Sequence, residues 1–193
     1  MISVGCVSFL SVDNKIAGTF LFSLGLYTII ILKFDLFTGK VGYLSTNRTL
    51  NYLKYLGQVW LGNLIGCVVG AAAVAATRLT ITTSALVNVK YADSLPSLLI
   101  LGIFCGMLMF IGVEGYKRTT NPLIVVLPVM GFILCGFEHC VADMFYFAFN
   151  FFKSGVTLAG LGDTLLRLAF ITVGNLIGGC LLCFASINIQ KEN

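Results

Sequence analysis

Five runs of apolar residues organise the chain: residues 17–36, 55–76, 95–115, 122–152 and 165–187. A helix that crosses the hydrocarbon layer needs about 20 such residues. The fourth run is too long for one straight crossing, and Gly136, Glu138, His139 and Asp143 interrupt its middle. The first run ends in a similar disturbance, Lys33-Phe34-Asp35-Leu36-Phe37-Thr38-Gly39-Lys40, after which apolar residues resume at Val41-Gly42-Tyr43-Leu44. The pattern predicts continuous helices and two interrupted spans, with each interruption near mid-membrane.

An internal repeat relates the two interruptions. Gly62-Asn63-Leu64-Ile65-Gly66 recurs as Gly174-Asn175-Leu176-Ile177-Gly178, 112 positions on (174 − 62). Each copy follows an interrupted span. Broken spans at matching places in two halves point to a central transport site. Three spans per half turn the second half upside down, so the pattern predicts half-repeats of about 1–76 and 95–187 in a single channel domain of 1–193. The spacing of Gly62, Gly66 and Gly70 suits close helix packing. Asn63 and Asn175 are candidates to satisfy the backbone groups freed at the breaks, which membrane-buried irregular backbone requires.

The halves differ at their beginnings. The second half offers 79 residues (174 − 95) before its repeated glycine and the first only 61 (62 − 1). The first helix is therefore expected to be N-terminally truncated, with Met1 an internal methionine of a longer product.

Composition agrees with a membrane protein. The chain is 58% hydrophobic and 10% charged, with mean hydropathy +0.98, against roughly 25% charged residues in soluble domains. The net charge of +4 is spread over short loops, which argues against nucleic-acid binding. With the termini inside, Lys40, Arg48, Lys54, Lys117, Arg118 and Lys191 face inward, while Lys15, Arg78, Lys90, Lys153 and Arg167 face outward. That is a weak positive-inside bias. The seven cysteines lie in apolar segments and read as small buried hydrophobes. One histidine cannot build a zinc cluster, so neither metal nor cofactor is expected.

The chemistry concentrates at Glu138 and His139, the latter the sole histidine. An ionisable pair inside a span is costly and marks a substrate, ion or proton path by default. Consecutive helical residues point about 100° apart, so the two are not expected to share a face. Glu138 is assigned to support of the broken backbone and His139 to the path.

The run Gly136-Phe137-Glu138-His139-Cys140-Val141-Ala142-Asp143-Met144-Phe145 resembles the GFEHS-x-A-N-M-F signature of the formate–nitrite transporter family. Asp35-Leu36-Phe37-Thr38-Gly39 resembles the loop that interrupts the family's second helix, and the second glycine–asparagine repeat resembles its sixth helix. The resemblance implies an all-α, six-span aquaporin-like membrane protein with inverted halves, assembled as a homopentamer with a pore in each protomer. It also implies a multi-pass place in a cell membrane, the bacterial inner membrane above all.

The implied partners are the lipid bilayer, protons and small weak-acid anions such as formate, nitrite, acetate, lactate or hydrosulfide. His139 matches the family's central pore histidine and Thr38 the threonine facing it. Leu36 and Phe37 match vestibule positions, and Phe22, Leu26 and Phe132 match the apolar constriction. Two departures stand out. A lysine expected seven residues before Pro128 is Asn121 here, which leaves Lys117 and Arg118 to attract anions. The asparagine of the signature is Asp143, an extra carboxylate that would repel an anion unless paired.

A bare anion meets an idealised Born penalty of order 20 kcal/mol in such a throat, whereas a neutral acid avoids most of it. With an unperturbed pKa near 6.5, a histidine is suited to poise that proton transfer. A proton-linked channel for weak-acid anions is therefore expected. A hydrosulfide channel or a neutral-solute pore is the alternative, although the paired Asn-Pro-Ala boxes of water channels are absent. No nucleophile–base pair suggests an enzyme.

Overall fold

The computed structural model describes residues 1–155 and 157–192, with side chains to Ser186. Its regular structure is helical: α1 (Ile2–Leu10), α2 (Lys15–Ile31), α3 (Phe37–Lys40) running into a 3-10 turn (Val41–Ser45), α4 (Leu50–Ala75), α5 (Ser84–Ala92), α6 (Leu95–Thr119), α7 (Leu123–Leu134), α8 (Cys140–Ser154) and α9 (Leu158–Glu192). Polar side chains start the helices. Asn14, Thr49 and Ser94 each accept a backbone N–H in the first turn of α2, α4 and α6, satisfying donors that have no intrahelical partner.

Among the described residues α4, α6 and α9 are long and apolar enough to cross a membrane unbroken. The two interrupted spans are α2 with α3 and α7 with α8. The breaks are residues 32–36 and 135–139, so the first is shorter than its sequence suggests and helix resumes at Phe37. Each break turns through one left-handed residue, Lys33 at φ 56° and Gly136 at φ 71°. The order of helix, broken pair and long helix occurs twice, in α1–α4 and in α6–α9. α5 is a short helix that the hydropathy pattern did not predict.

Small residues set the closest approach. At Gly102 and Gly106 of α6 and Gly174 and Gly178 of α9, an added methyl would collide with the facing backbone, so these helices pack with their main chains nearly touching. The first repeat copy behaves differently. A methyl at Gly70 would meet Ser3 of α1, whereas one at Gly62 or Gly66 would meet nothing within 4 Å among the described residues. The close packing expected of all three is present only at Gly70. The repeat positions Trp60 and Thr172 meet directly, Trp60 Nε1 donating to Thr172 Oγ1 at 3.2 Å.

α8 occupies the centre. Every residue from Cys140 to Phe149 is buried, with α1, α4, α5 and α9 against it. The cysteines follow the sequence expectation except Cys135, which is exposed at a break, and Cys180, which is half-buried.

Candidate functional site

Each break is held by one asparagine amide. Asn63 of α4 accepts the Phe37 N–H at 2.9 Å and donates to the Asp35 carbonyl at 3.1 Å. Asn175 of α9 accepts the Cys140 N–H at 2.9 Å and donates to the Glu138 and Gly102 carbonyls, both at 2.8 Å. A membrane interior offers no water to do this work, so the amides supply the partners that the missing helical turns would have supplied. Glu138 does not supply the backbone support expected of it: its carbonyl is itself held by Asn175, and its carboxylate pairs with a lysine.

His139 is the N-cap of α8. Its Nδ1 accepts the Ala142 N–H at 3.1 Å, which assigns the remaining ring proton of the neutral imidazole to Nε2. Nε2 lies 3.0 Å from Thr38 Oγ1 and therefore donates to it. The threonine's own hydroxyl proton is left to turn toward a guest. Thr38 and His139 come from opposite halves of the chain and are both buried.

Aromatic rings pack beside the imidazole. Phe132 stacks on the His139 ring with centroids 5.4 Å apart, and Phe22 meets Phe132 edge-on at 5.7 Å. Leu26 lies one helical turn from Phe22 on the same face of α2, and both are 1% exposed. Two cavities flank this cluster. One of about 370 Å³ is lined by Leu26, Leu36, Lys40 and Lys117 among others. The other, of about 200 Å³, is lined by Phe132, Glu138 and His139 with Lys15 and Lys90. Glu138 and His139 therefore do share a cavity wall, contrary to the expectation from helical spacing, because residues 137–139 are not helical. Phe37 is buried, with its backbone N–H on Asn63.

The sequence reading placed Lys90 among outward-facing loop charges; it is instead buried in this site. α5 folds back so that the Lys90 ammonium pairs with Glu138, and with Asp143 Oδ1 at 2.8 Å. The extra carboxylate at Asp143 is thus paired. The backbone of α5 is fixed by Arg167, whose Nη1 donates to the Lys90 and Asp93 carbonyls, both at 2.7 Å. A cation at a helix C-terminus suits the helix dipole. Two acids in one apolar span demand a cation, but nothing in their spacing points to Lys90.

The residues expected to attract anions separate. Lys117 lines the larger cavity and sits 4.4 Å over the Tyr43 ring. Arg118 is engaged by Glu114 at 3.0 Å and Ser186 at 2.9 Å. Asn121 is exposed and accepts the Leu123 N–H at 3.0 Å, at the start of α7.

The family model described as "Formate/nitrite transporter" matches residues 1–188. Nitrite transporter NirC of Escherichia coli (strain K12) is 29% identical over 176 residues, which cover 82% of this chain and 65% of that protein. Formate channel FocA of Haemophilus influenzae is 29% identical over 149 residues, covering 68% and 52%. The chain thus matches less than two thirds of the length of these relatives. Among solved structures, one described as "FNT family ion channel" aligns with a TM-score of 0.80 at 25% identity, over 98% of this chain and 85% of that one. A "Pentameric formate channel with formate bound" aligns with a TM-score of 0.78 at 21% identity, over 100% and 93%.

Proposed function

Since the chain belongs to the formate/nitrite transporter family, a family of membrane channels rather than enzymes, we propose that each protomer passes small monovalent weak-acid anions, formate or nitrite first among them, with proton linkage through His139. The observation that carries this reading is the His139–Thr38 hydrogen bond, 3.0 Å long, at an apolar throat between two cavities that each hold a lysine.

Lys117 in one cavity and Lys15 in the other draw an anion toward Phe22, Leu26 and Phe132, where its charge becomes expensive. A proton taken up at Nδ1 displaces the Ala142 N–H and makes His139 an imidazolium. Transfer of the Nε2 proton to the anion then yields neutral acid and a neutral imidazole protonated at Nδ1, so no net charge occupies the throat; exchange of the Nδ1 proton for one at Nε2 through water restores the Ala142 hydrogen bond. Thr38 orients the Nε2 proton beforehand. The acid passes and returns its proton to water on the far side.

Two assembly statements go with this reading. Residues 1–193 act as one channel unit with half-repeats of about 1–76 and 95–187. The unit works as a homopentamer in a bacterial inner membrane, which the pentameric structural neighbour, the bacterial relatives and the exposed apolar flank of α4 support.

The test is flux of formate, nitrite, acetate, lactate and hydrosulfide into proteoliposomes at several pH values, for wild type and His139→Phe. Weak-acid anions should pass with a pH dependence that the variant loses. Equal, pH-independent flux in folded wild type and variant would overturn the proton-linked reading.

A further inference from the structure

The buried group on α5 and α8 has one positive charge and two carboxyl groups. Lys90 Nζ touches Glu138 and lies 2.8 Å from Asp143 Oδ1. All three residues are buried, Asp143 to 1% exposure, and Asp143 Oδ2 has no hydrogen-bond partner among the described residues. The two carboxyl groups meet at the same ammonium. Fully ionised, the group would carry a buried net charge of −1 and an acceptor oxygen with no donor. Both are strongly disfavoured away from water.

A single proton between the carboxyl groups removes both defects. It supplies the donor that Asp143 lacks and leaves one carboxylate to balance Lys90. Two carboxyl groups that share a site do not ionise together. We propose that Glu138 and Asp143 hold one exchangeable proton between them, a proton-binding site separate from the His139 ring. Cys6 of α1, Cys105 of α6, and Cys140 and Tyr146 of α8 also face it, and Lys15 of α2 and His139 line the cavity on which it opens. Thiols and phenols are ordinarily uncharged where carboxyl groups titrate, so the charge of the Lys90–Glu138–Asp143 group follows the shared proton.

The site opens on the cavity of about 200 Å³ that also holds His139. With the proton bound, the Lys90–Glu138–Asp143 group is neutral. When the proton leaves to water in the cavity, the group carries one net negative charge, which offsets the attraction of Lys15 on the same cavity wall for an approaching anion. This effect on anions rests on the transport reading above; the proton site does not.

Infrared difference spectra of the purified full-length chain, recorded across a pH step, test the site directly. Wild type should show a protonated-carboxyl carbonyl band that disappears on the alkaline side. Asp143→Asn and Glu138→Gln should each abolish it, because the single remaining carboxylate pairs with Lys90. His139→Phe should retain it even where flux is lost, so failure of the transport reading leaves this result standing. Absence of the band from wild type, or its survival in either carboxyl variant, would overturn the proposal. In proteoliposomes Asp143→Asn should keep more of its flux at alkaline pH than wild type, with the decline linked to His139 remaining, and matching pH profiles would overturn the link to anion approach.

Discussion

Leu36 stands in the first half where His139 stands in the second. Each is the residue between a carbonyl and an N–H held by a single asparagine amide, Asp35 and Phe37 on Asn63 and Glu138 and Cys140 on Asn175. The repeat thus duplicates the clamp but not the chemistry. One half offers an aliphatic side chain at the end of its break and the other offers an imidazole.

His139→Phe removes the imidazole and keeps a ring of similar bulk beside Phe132. Two groups lose partners, the Ala142 N–H and the Thr38 hydroxyl, at a cost of about 1–3 kcal/mol each. The protein should still assemble, seen as an unchanged elution volume in detergent. Formate flux should fall steeply and lose its pH dependence. Thr38→Val should lower flux less, since it removes the orienting acceptor and leaves the titrating ring.

Asn175→Ala should destabilise far more than Asn63→Ala. Asn175 is fully buried and satisfies three backbone groups, whereas Asn63 is half-buried and satisfies two. Each buried group left unpaired costs about 1–3 kcal/mol. Thermal unfolding in detergent should show a clear drop for Asn63→Ala and loss of the folded form for Asn175→Ala.

Lys90→Met leaves buried carboxyl groups without their cation, which typically costs 3–5 kcal/mol. Adding Glu138→Gln and Asp143→Asn to that variant should restore much of the stability, because the uncompensated charge is gone. A triple variant no more stable than Lys90→Met alone would show that the ammonium is held by something other than the two acids.

Gly106→Ala should push α6 away from α9, because the new methyl runs into the Asn175 backbone; overpacking of this kind costs about 1–3 kcal/mol. Gly66→Ala meets open space within the protomer and should be neutral or gain up to about 1 kcal/mol of helix stability. Paired melting curves of the two variants measure the difference.

Much of this arrangement was legible from the residues. Charge and glycine inside apolar runs marked both breaks, and the repeated Gly-Asn-Leu-Ile-Gly picked out Asn63 and Asn175 as their supports. Lys90 was not legible. It lies between spans, where a lysine is ordinary, and only the return of α5 against α8 brings it to Glu138 and Asp143. Local spacing cannot encode that return, because it depends on Arg167 capping α5 from 77 residues further along the chain. The same limit applies to the repeated glycines, whose spacing is identical in α4 and α9 while their neighbours are not.

The clamps also dictate an order of events at the ribosome. Asn63 follows the Phe37 amide it holds by 26 residues, and Asn175 follows the Cys140 amide by 35. At roughly 5–20 residues per second, each broken span is synthesised seconds before its asparagine exists. During that interval its bare amides and carbonyls have no partner in lipid. A nascent chain stalled before Asn175 should therefore keep residues 135–139 in the aqueous part of the insertion machinery, and membrane burial of α8 should wait for α9.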